Sequence, residues 1–324
     1  FMRGESKLIQ KSAPQDFFGK GTESKVQVLR SVCEWSAGVN KVENSILKAY
    51  YRLIDDSQHY IYIENQFFVS KSFENSEDNL GENNVSSIIK NEIAYHIRKR
   101  IERAYLSNEK FRVFIFLPLL PGFAGEPDNA TIQIILLHTY AGICRNHGLS
   151  IIEQLEKIMG DKWKDYIGFF SLRGHGVLNG IPLTELIYIH SKLMIVDDQA
   201  VIIGSANIND RSMLGRRDSE FCVLIKEALK YDTKMDGKDY KSAKYAVTFR
   251  KALMAEHLGI DVDDEILNDP LNDELFDLIK KRANKNTEIY RELFGCYPDD
   301  EYETLEDVKN GVKKLPTGDN EIKE

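Results

Sequence analysis

Residues 186–220 read LIYIHSKLMIVDDQAVIIGSANINDRSMLGRRDSE, and the parsing of this stretch decides the fold. Three runs rich in β-branched and aliphatic residues, LIYIHSKLMIV, AVIIGS and SEFCVLI, are separated by short polar segments and read as three strands. His190, Lys192, Ser205, Asn207 and Glu220 interrupt strands that are otherwise core-like. Taken singly these residues have bland readings: a lone HxK is usually a solvated edge, Asp197-Asp198 an ordinary turn, and Gly204 a bend. Their conjunction points to a site.

Strand alternation places His190, Lys192 and Met194 on one face and Ile189, Ser191 and Leu193 on the other. An imidazole and an ammonium about 7 Å apart along one strand can hold a phosphate between them. The ammonium meets non-bridging oxygens, and the imidazole can attack phosphorus or move a leaving group's proton. Ser205 and Asn207 can add neutral donors to the same oxygens, and Glu220 can accept the far ring N–H of a histidine. The chemistry implied is phosphoryl transfer without a metal.

Outward from this stretch, strands and helices alternate. VQVLRS and HYIYIENQFF read as strands around a helix at 43–57, and a polar loop at 71–84 precedes a long helix from 85 to about 109. FRVFIFLPLLPG is a buried strand ended by prolines, a helix at 128–147 is capped by Asp128 or Asn129, and 151–160 and 166–172 are a helix and a strand. Beyond 227 the chain turns helical, near 239–258, 272–282 and 286–294. The pattern predicts an α/β fold, a mixed sheet flanked by helices, as one domain over 26–300 between a polar linker at 1–25 and a polar tail at 301–324.

The net charge of −8 speaks against a nucleic-acid partner, which calls for a basic surface. Four cysteines lie far apart with no CxxC pair, so no zinc site or other cofactor is expected, and reduced thiols suit the cytoplasm. No run approaches the roughly 20 apolar residues of a membrane span, so membrane contact is expected to be peripheral. The chain begins with Phe and reads as a fragment or processed piece.

Through His190, Lys192, Asp197, Gly204, Ser205, Asn207 and Glu220 the opening stretch resembles the second HKD motif of the phospholipase D superfamily. VLRSVCEWSAG at 28–38, HYIYIENQFF at 59–68 and LPLLPGF at 117–123 are similar to the eukaryotic phosphatidylcholine-hydrolysing members. The resemblance implies a phospholipase D-like sandwich of two pseudo-symmetric halves, each supplying one HKD motif, of which this chain is the C-terminal half. It implies hydrolysis of phosphatidylcholine to phosphatidate and choline through a phosphohistidine, with His190 as general acid and base and Lys192 and Asn207 on the phosphate. Asp197 becomes a structural acid and Glu220 an orienter of a histidine in its own or the partner half.

No other histidine has a lysine two residues on, so a first HKD half must come from elsewhere in the polypeptide or from a second copy, and the chain alone is expected to be inactive. Glu64, Asn65 and Gln66 at a strand end are expected to line the substrate site, and Phe67, Phe68 and Phe123 an acyl entrance. Arg98-Lys99-Arg100 and Arg216-Arg217 would face anionic headgroups, and His175 resembles a recurring histidine in a loop. The phospholipid lies at the cytosolic face of a membrane, and anionic inositol lipids and small GTPases are implied regulators acting largely through other regions. Two competing expectations are a non-catalytic lipid- or protein-binding module, against which the intact site residues speak, and a homodimeric single-HKD phosphodiesterase or nuclease.

Overall fold

The computed structural model describes residues 24–74, 88–122, 129–227, 230–294 and 310. The chain runs through β1 (Ser24–Val32), α1 (Glu34–Ala37), β2 (Glu43–Asn44), α2 (Ser45–Asp56), β3 (Tyr60–Asn65), α3 (Ile93–Leu106) and β4 (Arg112–Phe116). It continues through α4 (Ala130–Ile143), α5 (Ile151–Met159), β5 (Ile167–Phe170), β6 (Leu172–Leu178), β7 (Ile181–Ile187), β8 (Lys192–Val196) and β9 (Ala200–Gly204). It closes with α6 (Asp210–Met213), β10 (Glu220–Glu227), β11 (Lys230–Met235), β12 (Lys238–Ala243), α7 (Lys244–Leu258) and α8 (Asp273–Phe294).

Eight strands form one mixed sheet in the order β2-β1-β10-β9-β8-β3-β4-β5. β3, β4 and β5 are parallel, joined through helices as parallel strands must be, and the remaining ladders are antiparallel. Both faces are covered. Ile61, Ile63, Met194 and Val196 face a core built with α2, α3 and α5, while Tyr60, Tyr62, Leu193 and Ile195 face α7 and α8. β3, β4 and β8 are therefore buried along their length, which is why they read as continuous apolar runs.

Local sequence explains several boundaries. α2 buries Ile46, Leu47, Tyr50, Leu53 and Ile54, the spacing of one helical face. α5 starts on a capping box in which the Ser150 hydroxyl accepts from Glu153 N and the Glu153 carboxylate accepts from Ser150 N. Asn129, not Asp128, is the residue seen to cap α4, its side chain accepting from Thr131 N; Asp128 lies outside the described residues.

Four expectations change. LIYIHSKLMIV is two strands, because β7 pairs with β6 in a separate hairpin while β8 joins the main sheet, and 188–191 carry the chain across. Helix α3 begins at Ile93, since the amides of Lys90 and Asn91 donate to the Asp210 carboxylate, which holds that segment outside the helix. The segment after β10 forms the β11–β12 hairpin, turned at Asp236-Gly237 with φ of 53° and 72°, a turn whose Asp-Gly signal stands in the sequence. α8 is a single helix, with neither Gly nor Pro near residue 284 to break it.

The turn between β8 and β9 is far from ordinary. Asp197 and Asp198 both have positive φ, 54° and 50°, a conformation unfavourable for residues with a side chain. The Asp197 carboxylate holds it by accepting from the amides of Gln58 (2.7 Å), His59 (2.8 Å) and Tyr60 (2.9 Å). Asp198 accepts both Nε and an Nη of Arg250 at 2.9 Å, with both side chains fully buried, and a hydrogen bond from the Tyr60 hydroxyl at 2.5 Å. Removing one member of such a pair leaves a buried charge alone. Arg250→Met is expected to cost about 3–5 kcal/mol in urea unfolding, and adding Asp198→Asn to it should recover part of that loss; a single-variant cost below about 1 kcal/mol would refute the reading. Asp197→Asn, which turns an amide group toward backbone donors, is expected to lose about 1–3 kcal/mol in the same measurement.

Candidate active site

β3 and β8 pair in antiparallel register with Asn65 opposite Lys192, so the end of the first strand meets the start of the second. Every sequence-predicted polar residue of the site except Asp197 belongs to this end of the sheet or to the β9–β10 edge beside it. Asp197 lies at the other end of β8, about 16 Å from Lys192 at the usual rise per residue. It is structural, held on the amides that begin β3, and does not belong among catalytic groups.

Lys192 is buried, and its Nζ donates to Gln66 Oε1 (2.8 Å) and to the His190 carbonyl (2.6 Å). Burial lowers the ammonium from its usual range, while the charge of Glu220 acts the other way. One of its three hydrogens remains for a ligand. Gln66 in turn donates from Nε2 to the Tyr188 hydroxyl at 2.7 Å. His190 falls in the irregular crossing between β7 and β8, not within a strand; it is exposed, and its ring lies roughly parallel to that of Tyr188 with centroids 6.1 Å apart. Strand periodicity therefore does not place it; the crossing and its neighbours do.

The Asn65 side chain ties the two loops of the site together, its Oδ1 accepting from Phe67 N and Ile208 N, each at 3.1 Å. Its Nδ2 is buried with no partner, so one donor is left unused where a phosphate is expected, whereas the buried, unpartnered atom of Asn207 is the acceptor Oδ1. Gly204 is required by close packing, since a Cβ there would meet Phe221 O at 2.3 Å.

Ser205 and Glu220 are bonded to each other. The Glu220 carboxylate accepts from the hydroxyls of Ser205 and Ser212, both at 2.5 Å, and from no ring nitrogen among the described residues. Ser205 donates to Glu220 and accepts from Phe221 N (3.0 Å), which braces the loop. His175 lies on β6 opposite Thr184, exposed, and not in a loop. The 98–100 cluster is no headgroup patch: Arg100 donates to the carbonyls of Ser57 and Gln58 and lies over the Phe111 ring, and Arg98 donates to Ser72 O.

Three residues not nominated from the sequence, Ser191, Tyr62 and His257, complete the surroundings through Glu64. Glu64 accepts from Ser191 Oγ (2.7 Å), the Tyr62 hydroxyl (2.5 Å) and His257 Nε2 (2.9 Å). Burial would raise this carboxyl, but those donors outweigh it and hold it below the usual range. Ser191, Tyr62 and His257 carry no spacing signal, because α7 is brought to β3 by tertiary packing alone.

His190, Ser191, Gln66, Glu64 and His257 border a cavity of about 1110 Å³, larger than most small-ligand sites. It opens beyond the carboxyl ends of the parallel strands, the usual place for ligands in such sheets. Its walls are mainly apolar and include Phe67, Phe68, Ile134, Leu137, Phe169 and Met254, with Ile134 and Leu137 of α4 largely exposed. Phe123 lies outside the described residues. Among the described residues no group of three or more His, Cys, Asp or Glu side chains is placed to hold a metal ion.

The signature of the family described as Phospholipase D matches residues 17–184 and 183–296. The chain is 42% identical over 296 residues to phospholipase D1 of Mus musculus, covering 90% of this chain and 26% of that protein. It is 43% identical over 295 residues to phospholipase D2 of Bos taurus, covering 90% and 30% respectively. The chain thus spans roughly a quarter to a third of the length of these relatives. Among solved structures it is similar to phosphatidylserine synthase of Haemophilus influenzae, with a TM-score of 0.39 and 13% identity over 83% of this chain and 47% of that one. On the strength of the family signature, which covers most of its length, the chain belongs to the phospholipase D family.

Proposed function

We propose that this chain supplies the proton-transferring half of a phosphodiesterase site that hydrolyses phosphatidylcholine to phosphatidate and choline at the cytosolic face of a membrane. The observation that carries this reading is a buried lysine ammonium held by Gln66 and by the backbone carbonyl of His190, where that glutamine and that exposed histidine both line a large, mainly apolar cavity. The cation suits a phosphate and the apolar walls suit acyl chains, whereas a nucleic-acid backbone calls for a basic groove. The phospholipase D names of relatives similar over 90% of the chain support the same chemistry.

In this scheme a second histidine, from outside these residues or from another copy, attacks phosphorus. The P–O bond to choline breaks as His190 donates a proton to the departing oxygen. His190 then takes a proton from water, whose oxygen attacks phosphorus and breaks the P–N bond, releasing phosphatidate. Lys192 stabilises charge on the non-bridging oxygens throughout. Of the two histidines bordering the cavity, His257 has Nε2 engaged by Glu64 and Tyr62, which supports a nucleophile supplied from elsewhere. Inositol lipids and small GTPases would regulate the assembled enzyme through other regions.

Choline release from phosphatidylcholine vesicles tests the reading, in protein carrying this chain together with a first HKD half. His190→Ala is expected to lower kcat by about 10³-fold or more and Lys192→Met by about 10²–10³-fold, with thermal unfolding of the histidine variant unchanged. Equal rates for His190→Ala and the unsubstituted protein would leave the chain a binding module.

A further inference from the structure

The HxK motif has a reverse side. Lys192 and Asn65 belong to the sheet face built with α2 and α3, whereas Ser191 turns to the α7 face, where its hydroxyl reaches Glu64 Oε2 at 2.7 Å. The other oxygen of Glu64 receives the Tyr62 hydroxyl (2.5 Å) and His257 Nε2 (2.9 Å), and Tyr62 and His257 also lie 2.9 Å apart. His257 comes from the last turn of α7, which Gly259 ends with φ +58°, and its ring packs on Phe116 with centroids 4.8 Å apart. Glu64 and His257 are 6% and 9% exposed within an otherwise apolar layer. A buried carboxylate and imidazole there cost desolvation that an apolar pair would avoid.

What they hold explains their presence. Residues 188–191 are in no strand, and the first ladder pair of β8 is Lys192 with Asn65, so the backbone at His190 and Ser191 is not fixed by sheet hydrogen bonds. The Ser191–Glu64 bond anchors the tripeptide from behind, and α7 sets the position of Glu64 through His257. The same helix grips the other end of β8, since Arg250 binds Asp198 two turns before His257.

We propose that Tyr62, Glu64 and His257 are positioning residues that act through the Ser191 hydroxyl to aim His190 and Lys192 at the phosphate. This rests on the phosphodiesterase reading above, which it extends to the opposite face of the sheet. Ser191, Glu64 and His257 border the cavity, but their hydrogen bonds run to one another and to Tyr62, so these groups move kcat through geometry, and a misplacement of about 1 Å can cost ~10²-fold.

Ser191→Ala, His257→Leu and His257→Gln provide the test, each in the protein used for choline release, with hydrogen–deuterium exchange followed at 188–192. Ser191→Ala and His257→Leu are expected to lower kcat by about 10-fold or more with KM within about twofold, and to speed exchange at 188–192 but not in the central sheet. His257→Gln, which keeps a donor for Glu64, should retain most of the rate. An unchanged kcat in Ser191→Ala overturns the proposal, as does a His257→Gln protein as slow as His257→Leu. Should His257→Leu unfold, Ser191→Ala decides alone. If the unsubstituted protein releases no choline, the functional reading fails, and exchange still decides positioning: faster exchange at 188–192 in Ser191→Ala upholds it and unchanged exchange overturns it.

Discussion

The antiparallel ladder between β3 and β8, from Ile61 opposite Val196 to Asn65 opposite Lys192, is the contact on which the rest of the molecule depends. A slip of one residue would turn Lys192 into the α7 layer and bring Leu193 toward the phosphate side, because side chains alternate with period two. Two features oppose that slip. At one end the Asp197 carboxylate is held by the amides of residues 58–60, and at the other Lys192 Nζ bonds Gln66 just past the end of β3. The aspartate of the motif thus serves the site from a distance, by setting the register that delivers the lysine.

The pleat gives the motif strand two occupations at once. One face presents Lys192, with Asn65 alongside and Asn207 from the neighbouring loop. The opposite face presents Ser191, bound to a carboxylate that is itself held by a tyrosine and a histidine. Helix α7 grips β8 near both its ends, through Arg250 on Asp198 and through His257 by way of Glu64. A strand clamped in this way offers a rigid platform beside the short irregular segment that carries His190.

Charge and shape divide the labour around the cavity. The polar groups gather at its mouth, beside the carboxyl ends of the parallel strands, while the walls supplied by α4, α7 and β5 are mainly apolar. Glu220 draws together the Ser205 and Ser212 hydroxyls and so ties the β9–β10 edge to α6. Position in a motif did not reveal this choice of partner, since a carboxylate accepts from whichever donors the folded chain presents.

Much of the fold was legible before any coordinates. The apolar runs at 60–65, 112–116 and 192–204 had to be sheet because both of their faces are buried, and α2 and α5 announced themselves by spacing and capping residues. The β11–β12 hairpin is marked in the sequence by its Asp-Gly turn. His190, Lys192, Asn65 and Gln66 could be nominated because polar side chains at the ends of core strands need a reason. What residue order alone determined is the mixed α/β sheet and the residue types available for phosphate chemistry, since both follow from local periodicity and functional-group identity. The tertiary structure alone decided that residues 188–191 cross between two sheets, that Asp198 pairs with Arg250, and that Glu64 joins His257 to Ser191. Those contacts link residues from about 50 to nearly 200 positions apart, and no local pattern encodes a partner that packing must bring into reach.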